Sequence, residues 1–339
     1  MPKKPGLSTV INTVWLVLAL ACGHESSNRA PATSSAFKVA LLTPGPISDQ
    51  SWNAGAYRGL EWIRDSLGAT ISHIQTKTPA EFEDNFRQYG SQGYSLVIGH
   101  GYEYQDAAKR VAPEFPKTTF LITSSTTAAP NIAGISFGFA EASYLAGMLA
   151  ASMTKSGKLG AIGGSEFPPV VESFRAFELG ARSVNPSISV VTSYIGNWDD
   201  VSAGKEQALA HISRGVDVIF QNADAAGLGV FQAARERKNT FVIGSNSNQN
   251  AVAPEITLGS VVINLPLAFL TIAKEVKAGT FKPRVVEMGE SSRVVTLIVN
   301  PALVSKIPAA TVAQIDSLQA KMATGEFTVP KHADSTAKR

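Results

Sequence analysis

Between residues 37 and 243 the chain alternates short, nearly unbroken apolar runs with longer amphipathic stretches. The first run, Val39 to Leu42, reads as a buried strand. Thr43-Pro44-Gly45-Pro46 then breaks regular structure. Ser48 or Asp49 caps a helix whose apolar side is Trp52, Ala56, Leu60 and Ile63, and Gly68 ends it. The same rhythm predicts strands over 69–75, 94–98, 118–122 and 132–137, with helices over 79–92, from 105, and over 140–153. It then begins again, with strands over 159–162, 189–194, 216–220 and 240–243 and helices over 170–184, 201–214 and 226–237. Continuous apolar strands alternating with amphipathic helices predict an α/β protein with doubly wound parallel sheets, covered on both faces. Two such runs predict two similar lobes with a cleft between them.

In parallel sheets, ligands meet the loops that follow the strands. Those loops carry Ser48-Asp49-Gln50-Ser51-Trp52-Asn53, His100-Gly101-Tyr102 and Thr123-Ser124-Ser125 in the first run. The second run adds Gly163-Gly164-Ser165, Asn197-Trp198-Asp199-Asp200, Asn222-Ala223-Asp224 and Gly244 to Asn250. Aromatics, amides, hydroxyls and glycines recur, which suits stacking on a flat ring and bonding to its edges. Asp49 is open to two readings, helix cap or ligand contact, and Trp52 likewise, core or cleft wall. Asp199-Asp200 reads as helix N-terminal charge before Val201.

The ends of the chain follow another logic. Lys3 and Lys4 precede an uncharged stretch from Leu7 to Cys22, the layout of a secretory signal. Cys22 is the single cysteine, so no intramolecular disulfide forms. Residues 1–22 read as a lipoprotein signal peptide with Cys22 as the lipidated residue, and 23–36 as a flexible tether.

Charge narrows the function. The chain has 30 basic and 27 acidic residues; without Lys3 and Lys4 the balance is 28 to 27. No basic tail or basic-aromatic patch is present, which argues against nucleic acid. The phosphate-loop, dinucleotide and nucleophile-elbow signatures are missing, and no histidines stand at metal-ligand spacing. No cofactor or metal is expected. His100 is open to two roles, a base or a polar contact in a binding cleft.

Four runs resemble the basic membrane protein family of solute-binding lipoproteins, the purine-nucleoside-receptor-like group. They are Ser48 to Leu60; Glu141 to Gly147; Gly163-Gly164 with Pro169 and Phe174 to Gly180; and Tyr194 to Asp200 with Gly204-Lys205. Gly227 to Val230 and Val242-Ile243-Gly244 add to the resemblance, which covers about residues 37–330. It implies a type I periplasmic-binding-protein fold, two lobes joined by three hinge crossovers. The first lobe would be 37–137 plus about 265–290, the second 138–264 plus about 291–330, with 331–339 a polar tail. It also implies a lipid-anchored, non-enzymatic receptor of the cell envelope, facing the periplasm or the exterior. Such a receptor captures a nucleoside- or nucleobase-like solute for the permease of an ABC importer.

The resemblance places Trp52, Asn53, Trp198 and Gly227 at the ligand. It implies a carboxylate at Asn246 and a lysine at Ile263, and both departures fall on sugar recognition. Either the pocket is retuned toward a ring with little sugar, or Asn248 or Gln249 has taken over. The expected ligand-binding set is Asp49, Gln50, Trp52, Asn53, His100, Tyr102, Ser124, Phe174, Trp198, Asn222, Gly227, Asn246 and Ile263. Two rival functions stay open: a surface lipoprotein or sensor with a regulatory protein partner, and a hydrolase using His100 with a serine such as Ser124.

Overall fold

The computed structural model describes residues 36–330. The signal peptide, Cys22, nearly all of the tether and the polar tail lie outside the described residues.

The first sheet draws on β1 (Lys38–Thr43), β2 (Thr70–Gln75), β3 (Leu96–Gly99), β4 (Thr119–Thr123) and β5 (Ile132–Phe137). Between them run α1 (Trp52–Leu67), α2 (Pro79–Ser91) and α3 (Gln105–Val111). Helix α4 (Phe139–Met153) then leads into β6 (Lys158–Gly163), α5 (Pro168–Val184), β7 (Ser189–Tyr194), α6 (Val201–Ser213), β8 (Val218–Asn222), α7 (Gly227–Arg235), β9 (Phe241–Asn246) and β10 (Thr257–Ile263). The chain returns through α8 (Leu265–Lys277) to β11 (Val285–Met288), and finishes with β12 (Val295–Val299) and α9 (Ala309–Thr324).

The strand orders are β11-β5-β4-β3-β1-β2 and β12-β10-β9-β8-β6-β7. The two orders match strand for strand, so the lobes share one topology. Among the named strands of the described residues every pairing is parallel except β10 with β12, which is antiparallel. The purely parallel second sheet expected from the pattern is therefore corrected at its edge. The chain passes between sheets at β5–α4, at β10–α8 and at β11–β12. These crossovers are stitched together: Gly138 N donates to Met288 O at 2.8 Å, and Asn264 N to Val294 O at 2.6 Å. A Cβ on Gly138 would stand 2.7 Å from Gly289 Cα, so the two strands of the hinge touch backbone to backbone.

Helix α1 shows how sequence makes this frame. Trp52, Ala56, Leu60 and Ile63 are all buried against the first sheet. Asp49 caps it from outside, accepting from the amides of Ser51, Asn53 and Ala54 at 2.8–2.9 Å. Gly68 closes it at φ 63°. Among the described residues no helix is long and apolar enough to cross a membrane.

Candidate functional site

The carboxyl ends of both sheets line one cavity of about 360 Å³, within the range of small-molecule sites. Its wall holds Trp52, Tyr102, Ser124, Trp198, Asn222, Asn246 and Ile263 from the expected set. Trp52, from the first turn of α1, stacks on His100 with centroids 3.9 Å apart and planes at 20°. Its indole N–H donates to His100 O at 3.3 Å, and Phe137 meets it edge-on at 6.0 Å. The plane of the indole is thereby held before any ligand arrives.

Trp198, in the loop after β7, lies against Gly164. Any Cβ on Gly164 would overlap its ring, so glycine is what lets the indole lie there. Phe167 sits 6.0 Å from Trp198 and 5.7 Å from Tyr102, linking aromatics of the two lobes.

The polar side is built from β8 and β9. Asn246 Nδ2 donates to Asp224 Oδ1 at 3.0 Å and to Asn222 Oδ1 at 3.3 Å. Ser124, Asp224 and Asn246 all stand at strand ends with left-handed backbones, φ 52°, 49° and 63°. Such conformations concentrate where a side chain has to be aimed. Burial pushes the Asp224 carboxyl well above the usual carboxylate range, and the Asp49 charge adds to this. Burial raises Glu103, also on the wall, to about 7.

Contacts near Asp224 also join the lobes. Ser51 Oγ lies 3.3 Å from Ser245 O and 3.5 Å from Asp224 Oδ1, while Ser247 Oγ donates to Ser51 O at 2.9 Å. Lys77 pairs with Asp199 at 3.3 Å on the exposed surface.

Six expected residues are not on the wall. Asp49 is spent on capping α1, and Asn53 Nδ2 donates to Asp49 at 2.8 Å. His100 is fully buried behind Trp52, with Nδ1 3.1 Å from Thr123 Oγ1 and Nε2 3.2 Å from Trp52 O. Burial lowers its pKa to about 3. Neither ring nitrogen is bonded to Ser124, so the base–serine pair considered for a hydrolase is not assembled. Phe174 packs in the core against Tyr194 and Phe220. A Cβ on Gly227 would overlap the Gln221 side chain, so its small size serves packing. Gln50 lies in a separate depression with Asn248.

Asn248 and Gln249, the alternatives for sugar recognition, are not on the wall either. Gln249 Oε1 is engaged by Gln221 Nε2 at 2.6 Å and Ser245 N at 3.0 Å. Asp224, which belongs to the same strand-end segment as Asn222, places a carboxyl group on the wall. Phe137, Phe139 and Phe167 were also missed. Two of them flank Gly138 at a crossover, and Phe167 precedes Pro168-Pro169 just after a strand end, positions that point at the cleft. Among the described residues no cluster of His, Cys, Asp and Glu could hold a metal ion.

Two like-wound lobes around a cavity at their strand ends define a solute-binding protein of the type I periplasmic fold. Residues 36–333 match the family described as Bmp, ABC transporter substrate-binding protein PnrA-like, and the chain belongs to that family. It is 28% identical to Basic membrane protein A2 of Borrelia garinii subsp. bavariensis, over 95% of each chain. It is 31% identical to the ABC transporter nucleoside-binding protein BmpA of Lactococcus lactis subsp. cremoris, over 69% of this chain and 70% of that one. A crystal structure of an ABC transporter solute-binding protein from Aeropyrum pernix K1 superposes with a TM-score of 0.80 at 22% identity. It covers 88% of this chain and 95% of the other.

Proposed function

We propose that this substrate-binding protein captures a nucleoside- or nucleobase-like ring in the interlobe cleft. It then hands the ring, chemically unchanged, to the permease of an ABC importer. The observation that carries the reading is the placement of Trp52 and Trp198, each held by its own partners, on the wall of one cavity between the lobes. Any flat ring has a face to stack on such surfaces, at about 1–3 kcal/mol per base in nucleic-acid sites. Asn222, Asp224 and Asn246 then read the ring's polar edge or an attached sugar. Closure of the lobes would supply both affinity and the signal to the transporter. Attachment through lipidated Cys22 would keep the protein at the envelope surface.

The relative from Lactococcus lactis, whose name records nucleoside binding, supports the solute class. Native mass spectrometry of the purified chain tests it. A retained ring compound of unaltered mass is expected. Steady conversion of added nucleosides to base and sugar would instead favour a hydrolase.

A further inference from the structure

The cavity is acidic as well as aromatic. Among the described residues, none of those lining it is Lys, Arg or His, whereas Glu103, Asp224, Glu172 and Glu287 all are on the wall. Glu172 and Glu287 are exposed, but Asp224 is only 3% exposed. The hydrogen bonds to its carboxylate come from neutral groups, Asn246 and Ser51. The groups whose charge acts on it, Asp49 and Glu103, are both acids, and no cation is among them. The end of β10 contributes Ile263 to the wall and no cation.

A buried carboxylate without a countercharge is costly, which is why burial holds Asp224 toward its protonated form; a neutral ring can hydrogen-bond to the group but leaves that cost in place. A positive ring would supply the missing charge. The same ring is favoured by the indole and phenyl faces, since cations are drawn to the negative face of an aromatic system, Trp most of all. Charge and aromatic surface thus select one chemistry.

We propose that the solute is an organic cation, a flat ring bearing a positive charge, with its faces against Trp52 and Trp198 and its charge met by Asp224 and Glu103. This rests on the cleft being the capture site. The ring is a cationic heterocycle, with or without a sugar, rather than a neutral base.

Calorimetric titration of the full chain with matched probes separates the two levels. The pairs are 1-methylnicotinamide against nicotinamide, and 1-methyladenosine against adenosine, near neutral pH. The cationic member should bind at least about tenfold tighter in one pair, a difference of about 1.4 kcal/mol. Asp224→Asn, which keeps an acceptor for Asn246, should shrink that ratio to about threefold or less with little change in melting temperature. Glu103→Gln is the second variant, should the first fold poorly. If the neutral members bind as tightly or tighter, the charge proposal is overturned while ring capture stands. If none of the four probes binds the wild-type chain, both are overturned.

Discussion

Asn246 Nδ2 donates to the carboxylate of Asp224 at 3.0 Å across the ends of two neighbouring strands. The amide therefore serves as a donor to a carboxylate that has come from the next strand. This has a direct consequence for Asn246→Asp, which restores the residue that the family resemblance implies. Two carboxylates would face each other in a buried site, and one donor would be lost. The substitution should cost about 1–3 kcal/mol of stability, the range for a buried polar group left unsatisfied. Combining it with Asp224→Asn should recover most of the loss. Denaturant melts of the single and double variants check this as a double-mutant cycle.

Gly164 offers a way to disturb ligand binding without touching the ligand. Its missing Cβ is the space that the Trp198 ring occupies. Gly164→Ala should push the indole off its seat and weaken solute binding by about tenfold or more, the worth of one stacking contact. Because Trp198 is only partly buried, repacking should hold the stability loss near the low end of about 1–3 kcal/mol for overpacking. Titration beside a thermal melt tells the two effects apart.

Much of the frame was readable from the chain. Val39 to Leu42 and Ile219-Phe220 lie in strands buried on both faces, so each shows as an apolar run. Beyond Ile243 the pattern assigned nothing, and β12, reached from the hinge, pairs antiparallel where a repeat of the rhythm implies parallel. The site was legible as a set of loops but not as a set of side chains. Strand order decides which loops converge, whereas a backbone at φ 49° helps decide that Asp224 points inward. His100 stands at a strand end like its neighbours, yet its ring is taken by the underside of Trp52. Such choices depend on tertiary neighbours that no local pattern encodes.

His211 predicts an acid weakness away from the cleft. It is buried on α6, its Nε2 lies 2.8 Å from Ser193 Oγ, and its Nδ1 has no partner. Burial first, then the Arg214 charge, lowers its pKa to about 4 from 6.5. The folded state thus holds the neutral ring, and the unfolded chain takes up the proton first. The contribution is complete above about pH 6.5 and is lost progressively as pH falls toward 4. His211→Gln should lack this slope. Its stability relative to the wild type should therefore improve steadily over that window, as read by urea melts across pH.

The measurement closest to the central claim is calorimetric titration of the wild-type chain and Trp198→Ala with the solute found by native mass spectrometry. The account predicts one site per chain. It also predicts an affinity lowered about tenfold or more by the substitution, a change of about 1.4 kcal/mol or more, and a nearly unmoved melting temperature. An unchanged affinity per folded molecule, with a stability loss of roughly 3–5 kcal/mol as for a truncated core aromatic, would contradict it.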